Sequence, residues 1–194
     1  SFLPKILLKD INEESFEFKI FSNNSFIRED VNVELITKSS ETSEMFNEFE
    51  TILKLCFNLF DNVTAERISG PGKTDVECLY ETVDEKFNVE AKTRKNQLIE
   101  VNTSRLKSHR EINGSKMSLV ITSRYSPGAI NDIKNSNNLL LQSNVFSNYI
   151  YQVKKHDDYD FSNFYEIMKK NKGTSISRVL YDFIIDKYSI NQIK

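Results

Sequence analysis

GKTDVECLY (residues 72–80) and FNVEAKTR (residues 87–94) are the two segments that decide the fold of this chain. In both, apolar side chains alternate with polar ones, and this period of two is typical of β-strands that bury one face. The polar stretch 81–86 between them predicts a tight turn. We therefore predict a hairpin made of strands 74–80 and 87–92.

The same alternation places acidic groups close together. Asp75 and Glu77 share one face of the first strand, and Glu90 and Lys92 share one face of the second. When the strands pair through the turn, Asp75 lies beside Glu90 and Lys92 lies one pleat away. Two convergent carboxylates suit Mg²⁺, which prefers oxygen ligands and keeps several waters. Such an ion can activate a water for phosphodiester hydrolysis, and a nearby lysine can polarise that water or offset negative charge.

An acidic residue two positions before a lysine is by itself weak evidence for such a site. The pattern occurs four times, at Glu17/Lys19, Asp84/Lys86, Glu90/Lys92 and Asp132/Lys134. Only the third pair follows an apolar strand, encloses a small residue and has a strand-borne acidic residue 15 positions upstream, after a glycine-rich turn. Context therefore selects Glu90 and Lys92. Glu77 is interpreted as a solvated strand residue.

The rest of the chain predicts alternating helices and strands. An apolar face at helical spacing runs from Met45 to Phe60, with Thr42 or Ser43 as its N-cap. Further segments predict a helix, a strand, a helix, a strand and three helices, at 98–110, 117–122, 127–134, 139–142, 144–155, 161–171 and 175–188. This order predicts an α/β sandwich around a mixed sheet. The C-terminal aromatics are interpreted as core residues: Tyr149, Tyr151, Tyr159, Phe161, Phe164 and Tyr165.

Length and composition bound the class of protein. The 194 residues, 39% hydrophobic and 28% charged, suit one globular domain with a real core. No apolar run approaches the roughly 18 residues of a membrane span, and the start SFLPKILLKD lacks the apolar core of a secretory signal. Cys56 and Cys78 lie in apolar runs and are interpreted as core residues rather than a disulfide. We expect a cytoplasmic protein with no membrane partner.

The net charge of −2 conceals an asymmetry along the chain. Residues 1–90 carry 9 Lys/Arg against 19 Asp/Glu, a balance of −10, and residues 91–134 carry 9 against 3, a balance of +6. A basic segment directly after the carboxylates suits a cation-and-phosphate site, although solvated surface also explains it. The acidic whole argues against tight binding of long DNA by this chain alone, because non-specific affinity comes from neutralised phosphates.

With these residues the chain resembles the PD-(D/E)xK nuclease superfamily, and within it the FokI-type cleavage domains of type IIS restriction endonucleases. The likeness extends over residues 43–155 and lies in the order of GKTDVECLY, FNVEAKTR, RLKSHR, MSLVITSRY, SPGAINDI and LLLQ. One departure is Thr74, at a position that is often proline. The resemblance implies a restriction-endonuclease-like three-layer α/β sandwich with a central mixed β-sheet. We expect one nuclease domain over 1–194, with 1–40 as an N-terminal extension packed on it and 156–194 as a C-terminal helical extension.

The resemblance also implies the residues of the site. The expected Mg²⁺ ligands are Asp75, Glu90 and Ala91, and Lys92 is the expected catalytic lysine. Many members of the superfamily add a glutamate from the preceding helix. Glu50 is the candidate in this chain because it flanks the apolar face of that helix, and Glu48 is the alternative.

Double-stranded DNA is the implied substrate, and four residues are candidates for contact with it: Arg94, Lys95, Arg105 and His109. Arg94 and Lys95 follow the second strand, where a surface turn explains them nearly as well. Arg105 and His109 are four residues apart on a predicted helix and therefore share a face. The alternatives for His109 are a general base and, favoured over it, a plain surface histidine.

The sequence contains no recognisable module for reading a DNA site, which usually needs a larger, positive surface. The chain resembles the small subunit of heterodimeric type IIS restriction endonucleases, in which a larger sequence-recognising nicking subunit is the partner. It would cut the strand that the partner leaves intact. The alternatives are a self-sufficient homodimeric nuclease of the resolvase or repair type and a non-catalytic scaffold or binding module with the same fold.

Overall fold

A computed structural model of the chain describes residues 31–68 and 73–188. Most of the predicted N-terminal extension, residues 1–30, lies outside the described residues, as does most of the predicted turn at 68–72. The expected domain boundaries therefore stay a prediction. The described residues belong to one compact unit, which carries all the elements below.

Seven helices and five strands follow one another along the described residues. The helices are α1 (Val33–Ser40), α2 (Phe46–Phe57), α3 (Thr103–Asn113), α4 (Pro127–Ile133), α5 (Ser143–Lys155), α6 (Ser162–Lys170) and α7 (Ser177–Tyr188). The strands are β1 (Val63–Arg67), β2 (Val76–Tyr80), β3 (Glu85–Lys92), β4 (Ser118–Thr122) and β5 (Asn138–Gln142). A 3-10 turn, Ser43–Met45, leads into α2, and the Thr42 hydroxyl caps it by accepting from the Glu44 N–H.

The strands form one mixed sheet in the order β1-β2-β3-β4-β5. The pairs β1–β2 and β2–β3 are antiparallel, and β3–β4 and β4–β5 are parallel. Parallel neighbours need a crossover, which α3 and α4 supply. In the β2–β3 hairpin, Val76 pairs with Val89 and Cys78 with Phe87. Their apolar side chains therefore share one face, as the alternation predicts.

Two hydrophobic cores, one on each face of the sheet, make the fold a three-layer sandwich and confirm the predicted fold class. The larger core joins the sheet to α2, α5, α6 and α7. The smaller core joins β4 and β5 to α3 and α4 through residues such as Leu106, Val120 and Ile133. The acidic groups of the hairpin project toward the side of α3, because their apolar neighbours occupy the larger core.

Aromatic packing fills the larger core. Phe57 contacts the rings of four other phenylalanines at centroid distances of 5.3 to 6.3 Å: Phe87, Phe146, Phe161 and Phe164. Of the C-terminal aromatics predicted as core, four are buried, whereas Tyr159 is half-buried and Tyr151 is 51% exposed. Cys56 and Cys78 are buried and free, which confirms that they are core residues.

Three local features differ from the sequence prediction. The edge strand β1 and the helix α1 were not predicted, because both are short and only part of each is buried. The helix predicted from Leu98 begins only at Thr103. Asn102 caps it by accepting from the Arg105 N–H at 2.9 Å, while Leu98 pairs instead with Tyr125 in an isolated bridge. No helix in 31–68 or 73–188 is long and apolar enough to span a membrane.

Candidate active site

The hairpin brings the predicted site residues together on one face of the sheet. Asp75 directly precedes β2, and Glu90 and Lys92 lie near the end of β3. Thr74 also ties these segments together, because its hydroxyl donates to the Val89 carbonyl at 3.3 Å. Proline could not make this bond, so the departure at position 74 adds a contact immediately before Glu90.

Lys92 bridges the two carboxylates. Its Nζ lies 3.2 Å from Glu90 Oε2 and 3.7 Å from Asp75 Oδ2. The Glu90 side chain is fully buried, whereas the side chains of Asp75 and Lys92 keep 17% and 28% of their exposure. One ammonium therefore faces two carboxylates, and the trio carries a net negative charge at an opening to solvent.

Asp75 is held by the backbone of the neighbouring strand. Its Oδ2 accepts from the Ala91 N–H at 2.7 Å. Burial raises the pKa of Asp75 to about 6, and the negative charges of Glu90 and Glu50 add to the rise. Lys92 and the Ala91 N–H pull the pKa down but only partly offset the cost of burial. A bound cation would therefore stabilise the ionised form of Asp75.

We expect the substitution Asp75→Asn to stabilise the metal-free protein. A carboxyl pKa that rises from 3.8 in the unfolded chain to about 6 on folding gives stability that is complete below pH 3.8 and lost as the pH rises through about 6. At pH 7.5 the free energy of unfolding of Asp75→Asn should exceed that of wild type by about 2 to 3 kcal/mol. The difference should shrink toward pH 4. Denaturant unfolding in EDTA at both pH values measures it, and a difference independent of pH would contradict the explanation.

Glu50 lies close enough to raise the pKa of Asp75, but it already has a cationic partner. Its Oε2 accepts from Arg67 Nε at 2.7 Å, and Arg67 also contacts the Asn47 side-chain oxygen. Glu48, the alternative, is exposed on the same helix. The position of Glu50 favours it over Glu48 as the additional carboxylate. Sequence reasoning missed Arg67 because β1, which carries it, was not predicted.

His109 is buried, so its interpretation as a surface histidine is wrong. Its Nδ1 lies 2.9 Å from Glu90 Oε1, and its Nε2 lies 3.4 Å from Arg105 Nε. The predicted contact of Arg105 with His109 on one side of the helix is therefore present, but only His109 is buried, whereas Arg105 is exposed and lines a cleft. The inner face of α3 is polar, since Arg110 is also buried and donates to Ser118 Oγ at 2.9 Å. A polar inner face gives no apolar stripe, which explains the error.

A cleft of about 150 Å³ opens beside the carboxylates. Its lining includes Glu90 and Lys92 together with the basic residues Arg94 and Arg105. Lys95 is exposed in the following turn, and its carbonyl accepts from Arg124 at 3.0 Å. Three of the predicted DNA-contact residues are exposed at or near the cleft, whereas His109 is buried against Glu90 and lines a separate cavity with Thr74 and Glu77.

The donor groups fit Mg²⁺ bound largely by water. The described parts of the chain contain no cluster of three His, Cys, Asp or Glu side chains placed to hold a metal ion. Mg²⁺ is commonly held by one or two carboxylates, with waters and substrate phosphates completing its shell. Asp75 and Glu90 match this requirement, and burial, which raises the pKa of Asp75, makes its ionised form costly unless a cation binds beside it.

Comparison with known proteins relates this chain to restriction enzymes. No family model matches the chain. The type II restriction enzyme HgaI of Avibacterium volantium is 34% identical over 191 residues, which is 97% of this chain. The chain spans only 38% of the length of HgaI.

Two solved structures share the fold. Restriction endonuclease FokI superposes with a TM-score of 0.57 and 10% identity, over 81% of this chain and 33% of FokI. FokI bound to DNA superposes with a TM-score of 0.56 and 11% identity, over 85% of this chain and 34% of FokI. Identity this low shows the fold alone, whereas the match to HgaI is a sequence relationship. The chain therefore has the FokI-like restriction-endonuclease fold and is a homologue of part of the type II restriction enzyme HgaI.

Proposed function

We propose that this chain is a Mg²⁺-dependent endodeoxyribonuclease and the cleavage subunit of a heterodimeric type IIS restriction endonuclease. It hydrolyses one DNA strand at a site delivered by a larger, sequence-recognising nicking subunit. The observation that carries the proposal is the contact of Lys92 with both Asp75 and Glu90, at the end of a hairpin in a FokI-like fold. The relationship to HgaI and the DNA complex of FokI support DNA as the substrate.

Each residue of the site has a separate role in the proposed hydrolysis. Asp75 and Glu90 would offer anionic oxygens to the cation, and Ala91, whose N–H donates to Asp75, would offer its backbone carbonyl. Mg²⁺ bound there would polarise the scissile phosphate and lower the pKa of a bound water. Lys92 donates a hydrogen bond to the attacking water and balances the charge that develops on phosphate. Glu50 is the candidate for an additional carboxylate, acting near Asp75.

The basic residues around the cleft hold the DNA backbone. Arg94 and Arg105 line the cleft that contains Glu90, and Lys95 lies in the turn beside it. Guanidinium groups suit phosphate because they donate in a planar fork. The scissile phosphate would therefore lie between these cations and the two carboxylates. His109, being buried, contributes to the site through Glu90 rather than through the DNA.

The partner is inferred from the charge of this chain. The net charge of −2 gives little general attraction to DNA. A partner that binds the recognition site would supply both specificity and affinity. The setting proposed for this reaction is the cytoplasm, where the DNA to be restricted lies.

Removal of the metal tests the proposed chemistry. A plasmid that carries the partner's recognition site is incubated with this chain and the nicking subunit. Linear product should form with Mg²⁺, disappear in excess EDTA and return when Mg²⁺ is restored. Linear product in EDTA would contradict the metal site. No product with any divalent metal, although the partner still nicks, would favour the non-catalytic module.

A further inference from the structure

We infer that His109 is a positioning residue, which fixes Glu90 for cation binding, and that Arg105 holds the His109 imidazole in the tautomer required. The inference rests on the proposed function, because Glu90, which His109 contacts, is a proposed metal ligand. The His109 side chain is buried and lies against Glu90. It therefore acts through Glu90 and touches neither the DNA nor the reacting atoms.

The first step concerns the two oxygens of Glu90. This carboxylate is completely shielded from water, and a buried carboxylate keeps its charge only when its oxygens are hydrogen-bonded. Oε1 faces His109 Nδ1 at 2.9 Å, and Oε2 faces Lys92 Nζ at 3.2 Å. Lys92 also contacts Asp75, so Oε2 lies on the side that the two carboxylates share. His109 holds the other oxygen and thereby fixes the orientation of the whole group.

The second step concerns the proton on the imidazole. Arg105 Nε lies 3.4 Å from His109 Nε2, and a guanidinium can only donate. Nε2 must therefore offer its lone pair, which leaves the imidazole proton on Nδ1, directed at Glu90. In this tautomer Nδ1 donates to Glu90 Oε1 and so orients the carboxylate.

The third step concerns the rigidity of the helix that carries His109. Asn102 caps the start of α3, and Leu106 is buried in the smaller core. Next to His109, Arg110 donates to Ser118 Oγ at 2.9 Å and to the side-chain oxygen of Asn138. These contacts fix α3 on β4 and β5 on both sides of His109. A donor on a fixed helix can define a ligand's position in a way that a mobile surface group cannot.

Cation binding in the absence of DNA tests the inference. Free Mn²⁺ is measured by electron paramagnetic resonance during titration of the full chain, for wild type and for His109→Leu, His109→Asn and His156→Leu. His109→Leu should weaken Mn²⁺ binding by about 10- to 100-fold. His109→Asn should keep most of the affinity, because its amide nitrogen, like Nδ1, is bonded to Cγ. His156→Leu is the matched control, since His156 is the other histidine of the chain and is exposed.

A nitrogen-15 spectrum of the two histidines tests the tautomer independently of metal. In wild type, His109 should carry its proton on Nδ1 and none on Nε2, and Arg105→Met should shift the Nε2 signal while that of His156 stays. A proton on Nε2 of wild-type His109 would overturn the assignment of Arg105. If His109→Leu fails to fold, the wild-type spectrum still tests whether Nδ1 of His109 carries the proton that is directed at Glu90.

The outcomes separate the two proposals. If wild type binds Mn²⁺, Asp75→Ala does not, and His109→Leu binds as tightly as wild type, only the role of His109 is wrong. If wild type binds no Mn²⁺ at all, the metal site of the proposed function fails and the role of His109 fails with it. Weakened binding in His109→Leu with recovery in His109→Asn supports both.

Discussion

Asp75→Ala should lower the rate of DNA cleavage by about 1,000-fold or more in the presence of Mg²⁺ and the partner. The substitution removes one of the two carboxylates that face Lys92, and with it the acceptor of the Ala91 N–H. A cation at this site would keep only Glu90 as a carboxylate ligand and would no longer be fixed against the phosphate. Initial rates of second-strand cleavage on a pre-nicked plasmid measure the effect directly.

Glu77→Ala is the matched control for this experiment. Glu77 is also acidic and lies two residues along the same face of the hairpin, but its Oε1 accepts from Lys86 Nζ at 2.6 Å. We expect its cleavage rate to stay within about 3-fold of wild type, as for a partly exposed ion pair of small energetic value. Equal loss in both variants would indicate a general effect of charge. Cleavage that survives in Asp75→Ala would show that the site is elsewhere.

The isolated chain should leave plasmid DNA nearly intact, whereas the chain with its nicking partner should linearise it. Recruitment raises the effective concentration of a tethered site, which gives a gain of about 100- to 10,000-fold without any new contact at the site. A gain of this size is expected because a chain with a net charge of −2 has little general attraction to DNA. Agarose gels that resolve supercoiled, nicked and linear forms measure both arms.

Strand selectivity sharpens this prediction. One site of this kind hydrolyses one strand, so the partner alone should produce only nicks, and Asp75→Ala with the partner should stop at the same nicks. Rapid linearisation by the chain alone would favour the self-sufficient homodimer. Lowering the salt concentration should not replace the partner, because added non-specific affinity does not supply the second cutting site.

The raised pKa of Asp75 and its expected role are two consequences of one arrangement. Burial and neighbouring negative charge make the ionised carboxyl costly in the metal-free protein. The neighbouring negative charge of Glu90 and Glu50 also makes a divalent cation favourable there, because a cation relieves the repulsion between the carboxylates. A site that binds metal well is therefore expected to lower the stability of the metal-free protein. For this reason Asp75→Asn should raise the free energy of unfolding while it removes activity.

Much of the fold was predictable from local patterns. The period-two alternation around 81–86 set the faces and register of the hairpin, since a short polar turn leaves few ways to pair two strands. Helical periodicity located α2, and the order of segments predicted the mixed sheet. Strand β1 and helix α1 were missed because neither has a complete apolar pattern of its own. The N-terminal limit of α3 was missed because Leu98 fits the apolar pattern of a helix. It is buried in the smaller core as part of a β-bridge with Tyr125 instead.

The sequence by itself determined that Asp75, Glu90 and Lys92 meet, because all three belong to one hairpin whose geometry is local. Only the tertiary structure decided what surrounds them. The burial of His109 against Glu90 depends on how α3 crosses the sheet, and the ion pair of Glu50 with Arg67 joins a helix to an edge strand. Such contacts are between residues far apart in the chain and leave no periodic signal. The pKa of Asp75 is likewise a property of packing, because desolvation exists only once the other elements have closed around the hairpin.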